Sequence, residues 1–368
     1  MLQAFFHAWE RRLASVTKDR VVRPFEWGLD WIPEHGHRAD PGETIDRYVS
    51  SVMADTDAFF TPPPTTDYTL TPGADGDLLT FPSAFVTPHE SNNTVRCRYF
   101  PAKQAKAAVL VMPQWNADAG GHIGLSKLLA MNGMSALRLS LPYHDQRMPA
   151  ELRRADYIVS ANVMRTLQVC RQAVLDARRA IAWLQSRGYE RIGILGTSLG
   201  SCLALLTTAH EPLIQAEALN HISPYFADVV WRGLSTAHVR EGLDGHVELD
   251  LLRSIWQPIS PRGYLERLRN RKTLLVYARY DLTFPVDLSE DLVRAFEEQQ
   301  IPHEVAVLRC GHYSTGKAPF KFVDGYILTR FLKKSLVLEN PTGISTTPRT
   351  RRGAHPRGCG PAVRSRLR

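Results

Sequence analysis

Cysteine is scarce in this chain. The five present, Cys97, Cys170, Cys202, Cys310 and Cys359, are odd in number and widely spread, which argues against a disulfide framework and fits a reducing compartment. No two have the spacing of zinc ligands, so no metal site is expected. Uncharged apolar runs of about 20 residues are missing too, and with them any conventional membrane span. Residues 1–12 have neither the basic stretch nor the long apolar core of a secretory signal, so the expectation is a cytoplasmic protein. Acidic residues are lacking beyond Glu339, where Arg349, Arg351, Arg352, Arg357, Arg364, Arg366 and Arg368 gather. These seven arginines account for most of the net charge of +8 and leave the rest of the chain at about +1. Basicity confined to a Pro/Gly/Thr/Arg segment with few apolar residues predicts a disordered tail over residues 337–368, and no nucleic-acid partner is expected.

What is there is ample material for a core: 368 residues, 44% of them hydrophobic. Residues 1–66 read as a helical lead-in. It has an amphipathic helix over 2–16, an aromatic and turn-rich stretch over 23–33, and a helix over 44–60 that stops at Pro62-Pro63-Pro64. Trp27 and Trp31, four apart, could line a pocket or staple this segment to the main domain. From about residue 68, strand and helix patterns alternate. Two strands, 78–86 and 94–100, suit a hairpin, and the continuous apolar run 107–112 suits a parallel strand buried on both faces. Helix 123–131 and strand 134–141 precede a long helical region, 150–188, in which Ala173, Ala177, Ala180, Ile181 and Leu184 make one buried stripe. Strands at 192–195, 216–222, 273–278 and 304–308 follow, with helices after Ser198 and over 288–299. The alternation predicts an α/β domain over residues 67–336, a mostly parallel twisted sheet with helices on both faces. An insertion near 223–271, too long for an ordinary connection, would form a cap.

Gly196-Thr197-Ser198-Leu199-Gly200 stands between the apolar run ending at Leu195 and a small-residue helix. A serine at the apex of so tight a strand-to-helix turn projects its hydroxyl above the sheet edge, and the glycines are needed because side chains would collide across it. In open α/β sheets, reactive groups collect at the carboxyl ends of the strands. Asp281 follows the strand Leu274-Leu275-Val276-Tyr277-Ala278, and His312 follows Val305-Ala306-Val307-Leu308. The chemistry needs these three types. A hydroxyl attacks well only if a base takes its proton, an imidazole titrates near neutrality, and a carboxylate on the other ring nitrogen fixes its tautomer.

With Gly196-Thr197-Ser198-Leu199-Gly200, Tyr280-Asp281 and Gly311-His312 in that order, the chain resembles the α/β-hydrolase superfamily over residues 78–332. Residues 141–149, Leu-Pro-Tyr-His-Asp-Gln-Arg-Met-Pro, and the Arg23-Pro24-Phe25-Glu26-Trp27-Gly28-Leu29 lead-in resemble the α/β-hydrolase domain-containing 18 type. The superfamily resemblance implies an α/β-hydrolase fold, cofactor-free acyl transfer to water, and a small-molecule acyl substrate. Ser198 would be the nucleophile, His312 the base and Asp281 its orienting carboxylate. It also implies two oxyanion amides, one from Leu199 and one from the loop 112–118. That loop departs from the usual His-Gly or Gly-Gly start, leaving Trp115 or Gln114 as the second donor.

Gln114, His122, Tyr143 and Arg147 are expected at the substrate pocket, since their segments follow strands on the reactive side. Arg147 would bind a carboxylate or phosphate, or else form a structural ion pair. His35-Gly36-His37 reads as a surface turn, Cys310 and Cys202 as packing residues. The aromatic character of the insertion suggests an apolar acyl pocket. Ester hydrolysis is the expectation; amide or peptide hydrolysis by the same residues, and a non-catalytic binding protein of this fold, are the alternatives.

Overall fold

The computed structural model describes residues 2–33 and 40–338; His35-Gly36-His37 and residues 339–368 of the expected tail lie outside them. The N-terminal segment forms α1 (Leu2–Ala14), α2 (Pro41–Ala54) and α3 (Thr56–Phe60). The single helix expected over 44–60 is thus two. Asp55 ends the first and caps the second, its carboxylate accepting from Ala58 N at 2.9 Å.

The strands are β1 (Thr69–Thr71), β2 (Asp77–Pro82), β3 (Thr94–Phe100), β4 (Ala107–Met112), β5 (Met134–Leu139), β6 (Arg191–Thr197), β7 (Ile214–Asn220), β8 (Lys272–Ala278) and β9 (His303–Leu308). Between and after them lie α4 (Ile123–Met131), α5 (Val163–Ser186), α6 (Leu199–His210), α7 (Phe226–Arg232), α8 (Ala237–Leu243), α9 (Leu249–Ile255), α10 (Val286–Glu298), α11 (His312–Thr315) and α12 (Phe320–Lys333). They form one nine-stranded sheet in the order β1-β2-β3-β5-β4-β6-β7-β8-β9. The β1, β2 and β3 ribbon is antiparallel and joins β5 antiparallel; the remaining pairings are parallel. The apolar run of β4 is buried throughout because it feeds two cores. Ala108, Leu110 and Met112 face one layer of helices, Val109 and Val111 the other.

Residues 150–162, expected to be helical, are turns, and α5 begins only after Asn162, whose side chain accepts from Arg165 N at 3.0 Å. The insertion between β7 and β8 carries α7, α8 and α9. Its Trp256 is fully buried and donates Nε1–H to the Val163 carbonyl at 2.9 Å, which ties the insertion to the main body. Trp31 is likewise buried, stacked near Phe85, so it staples rather than lining a pocket.

One buried acid predicts a pH-dependent stability. Glu217 on β7 is 0% exposed, accepts from the Thr273 hydroxyl at 2.9 Å, and has the Thr208 hydroxyl beside it. Burial pushes its carboxyl from 4.5 up to about 7. The folded state therefore prefers the protonated form, and stability is lost as pH rises from the unfolded value through the folded one. Glu217→Gln is expected to change little near pH 5 and to stabilise by about 3 kcal/mol near pH 8. Thermal melts at the two pH values check this; equal shifts at both would contradict it.

Candidate active site

β6, β7, β8 and β9 run parallel, so their carboxyl ends form one edge, and Ser198, His221, Asp281 and His312 each follow one of them. Ser198 has φ 57° and ψ −120°, a sparsely populated conformation for a side-chain-bearing residue. It is held there by its amide donating to the Asn220 carbonyl at 2.7 Å. A Cβ on Gly196 would lie 2.2 Å from the Gly200 oxygen, and one on Gly200 2.2 Å from the Met112 oxygen. Both positions need glycine. The second contact also presses the turn against the exit of β4, where the loop 112–118 begins.

His312 stands between the other two groups. Its Nε2 is 3.1 Å from Ser198 Oγ, and its Nδ1 is 3.0 Å from Asp281 Oδ2. Asp281 Oδ1 accepts from the Thr283 and Phe284 amides, each at 2.7 Å. A second imidazole, absent from the sequence reading, shares Oδ2: His221 Nδ1 lies 3.0 Å away. Since a carboxylate only accepts, both rings carry hydrogen on Nδ1. His312 thereby presents the bare Nε2 lone pair to Ser198, the form a base requires. Nδ1 of His221, Nδ1 of His312 and the Asp281 carboxylate lie within 4.8 Å, the one set with metal-ligand proximity among the described residues. Those atoms already satisfy one another by hydrogen bonds.

The electrostatics follow from burial. Desolvation alone would push the Asp281 carboxyl up, but the His312 charge and the bonds from both rings hold it well below the carboxylate range. Burial works against a charged His312, yet the Asp281 charge and bond, with a smaller push from Glu10, raise its pKa above the ordinary 6.5. His221 moves down, through burial and the neighbouring His312 charge. Phe284 stacks flat on the His312 ring at 5.3 Å.

A cavity of about 960 Å³ opens above Ser198, lined by two of the four expected pocket residues, Gln114 and His122, and by Trp115, Leu199 and His312. The amides of Leu199, Gln114 and Trp115 have no hydrogen-bond partner among the described residues. The loop carrying the last two is fixed from behind. Trp115 Nε1 donates to the Ala155 carbonyl at 2.9 Å, and Asn116 N donates to His144 Nε2 at 2.9 Å. Accepting there keeps His144 neutral, and its burial agrees, lowering the pKa to about 4. His122 reaches Thr197 Oγ1 at 3.0 Å, beside the Ser198 turn.

Tyr143 and Arg147 must be corrected. Neither lines this cavity. Tyr143 is 0% exposed and its hydroxyl bonds His89 Nδ1 at 3.0 Å. Arg147, also 0% exposed, pairs with Asp176 at 2.8 Å and donates to the Asn92 and Ser140 carbonyls. Its planar fork is consumed in bracing α5 against the loop after β5, a role invisible until Asp176 comes near. Cys310 is buried against Thr315, and burial raises its thiol to about 12; Cys202 is buried at the cavity wall. The expected strand 216–222 took in His221; β7 ends at Asn220 and leaves His221 at the edge beside Asp281.

No protein-family model matches the sequence, and no curated protein matches it. Solved structures do. Over 85% of this chain and 100% of its own, an acetyl xylan esterase from Paenibacillus sp. R4 superposes with a TM-score of 0.57 at 16% identity. Acetyl xylan esterase 1 from Thermoanaerobacterium sp. JW/SL YS485 gives 0.55 at 13% identity, covering 78% of this chain and 94% of that one. The acylaminoacyl peptidase of Pyrococcus horikoshii gives 0.56 at 13% identity over 78% of this chain; the match spans only 44% of the peptidase. Sheet order, strand directions and these likenesses together give the chain an α/β-hydrolase fold.

Proposed function

We propose that the protein is a serine hydrolase that cleaves carboxylic esters. In this reading Ser198 Oγ attacks the ester carbonyl while His312 Nε2 takes its proton. The oxyanion is held by the amides of Leu199 and Trp115, with Gln114 as the other candidate in that loop. His312 then gives the proton to the leaving alcohol, and an acyl-serine remains. Water, deprotonated by the same nitrogen, releases the acid and restores Ser198. Asp281 orients the ring and stabilises its charged form. The observation that carries this is the position of His312, 3.1 Å from Ser198 and 3.0 Å from Asp281.

Tyr225, Phe226, Val229 and Val230 of the insertion line the cavity, which supports an apolar acyl group, with Gln114 and His122 as polar contacts. We read residues 67–336 as the hydrolase domain, 1–66 as its lead-in and 223–271 as its cap. The finer likeness to the α/β-hydrolase domain-containing 18 type rests on residues 23–29 and 141–149 alone. No helix among the described residues is long and apolar enough to cross a membrane. The four described cysteines are unpaired and buried, which supports a cytoplasmic setting.

Labelling by a fluorophosphonate probe tests the reading. A folded sample that takes no label would point to a binding protein instead. Among labelled samples, faster turnover of p-nitrophenyl esters than of peptide anilides is expected. The reverse would favour peptide hydrolysis, the activity in the name of the Pyrococcus horikoshii likeness.

The raised His312 pKa fixes the sign of the pH dependence. Only the neutral ring can accept the serine proton, so kcat/KM should fall as pH drops through a value above about 6.5, the unperturbed histidine value. A pH–rate profile with its acid limb below that value would contradict the assignment.

A further inference from the structure

We propose that Glu10, on the N-terminal helix α1, is a positioning residue for His312: its buried carboxylate bonds the two backbone amides after the imidazole, packs against Gly311 before it, and sets its approach to Ser198. The proposal rests on the serine-hydrolase reading above.

Helix α1 turns Phe6, Glu10 and Ala14 toward the body of the protein. A carboxylate in the middle of such a stripe, 0% exposed, is costly unless its oxygens are bonded. They are, to the two residues that follow His312. The Tyr313 amide donates to one oxygen at 2.8 Å and the Ser314 amide to the other at 2.9 Å. These are first-turn amides of α11, which have no partner within their own helix. On the other side of His312, a Cβ on Gly311 would lie 2.4 Å from the Glu10 carboxyl carbon. Position 311 is glycine because the carboxylate occupies the space a side chain would take.

The same helix reaches the Asp281 loop as well. Phe6 stacks on Tyr280, the residue before Asp281, with ring centroids 4.6 Å apart and 7° between planes. One N-terminal element thus touches the neighbours of both Asp281 and His312. Glu10 also brings charge. Among the described residues no lysine or arginine forms an ion pair with it, and its negative charge favours protonated His312 and His221. The groups facing His312 are then Asp281 and His221 from their strand ends, Ser198 from the elbow, Phe284 and Tyr313 alongside, and Glu10 from α1.

The test compares Glu10→Gln, Glu10→Asp and Gly311→Ala in the full chain, with rates normalised to fluorophosphonate-titrated sites so that misfolded protein drops out. Glu10→Gln removes the charge and turns an amide NH₂ toward a backbone N–H. Its kcat is expected to fall about 10- to 100-fold, as for a catalytic group displaced by a fraction of an ångström to an ångström. KM should stay within about twofold because Glu10 does not line the cavity. The acid limb of the pH profile should move to lower pH, since a charge favouring protonated His312 is gone. Glu10→Asp keeps the charge but falls short of the two amides, so its limb should stay near wild type while kcat drops. In Gly311→Ala the added Cβ displaces the carboxylate, and kcat should fall with no change at position 10. Wild-type kcat in Glu10→Gln, or a loss of titratable sites with kcat and limb unchanged, would overturn the proposal. If Glu10→Gln does not fold, wild-type kcat in the other two variants would overturn it. Wild-type protein that neither labels nor hydrolyses would instead remove the hydrolase reading, and this proposal with it.

Discussion

Ser198→Ala is expected to lower kcat/KM toward an activated ester by about 10⁵- to 10⁶-fold and to abolish fluorophosphonate labelling. The size follows from the absence of a substitute. Cys310, the thiol two residues before His312, is buried and bonded to Thr315, its thiol raised rather than activated. Cys202 reaches the cavity wall but donates to the Ile259 carbonyl, and burial raises it too. Folding should be spared. Among the described residues the Ser198 hydroxyl bonds only His312, and the backbone bond to Asn220 does not involve the side chain. Steady-state kinetics beside a thermal melt check both halves. Residual activity within tenfold of wild type, with an unchanged melt, would refute Ser198 as nucleophile.

Asp281→Asn is expected to cost about 10⁴-fold in kcat, the scale seen when a triad imidazole is left in the wrong tautomer. The geometry sharpens the argument. Asp281 Oδ1 is bound by two backbone amides, so asparagine will keep its carbonyl oxygen there and turn its NH₂ to the position of Oδ2. That NH₂ then meets two imidazole nitrogens, Nδ1 of His312 and Nδ1 of His221. Each ring must shift its hydrogen to Nε2 to accept. His312 would then point N–H at Ser198 and could not take its proton. His221 would bury an N–H at Nε2, where the native protein leaves a bare nitrogen without a partner. A buried donor left without a partner in this way costs about 1–3 kcal/mol. A lowered melting temperature should therefore accompany the lost activity. Intact kcat in this variant would mean that His312 does not depend on Asp281 for its tautomer.

Much of the site was legible because its members sit at strand ends. The turn around Ser198 needs glycine at 196 and 200 for steric reasons written into the chain itself. The strands before Asp281 and His312 are short apolar runs whose ends are visible, and the parallel sheet brings those ends to one edge. Local patterning failed where a long-range partner decides a side chain's role. Arg147 offered a fork suited to an anionic substrate, yet Asp176, near the middle of α5, claims it in a buried ion pair. Tyr143 lies on the loop after β5, but a φ of 64° turns that loop inward and its hydroxyl to His89.

The alternation of strands and helices, the tight serine turn and the strand ends that carry the candidate residues follow from hydrophobic period and glycine placement, which act over a few residues, whereas the strand order was set by the fold. Glu10 against the His312 loop, His221 beside Asp281, and His144 behind the loop 112–118 depend on distant segments meeting. A buried polar atom must find whichever donor or acceptor the fold delivers to it, and only the folded chain settles which one arrives.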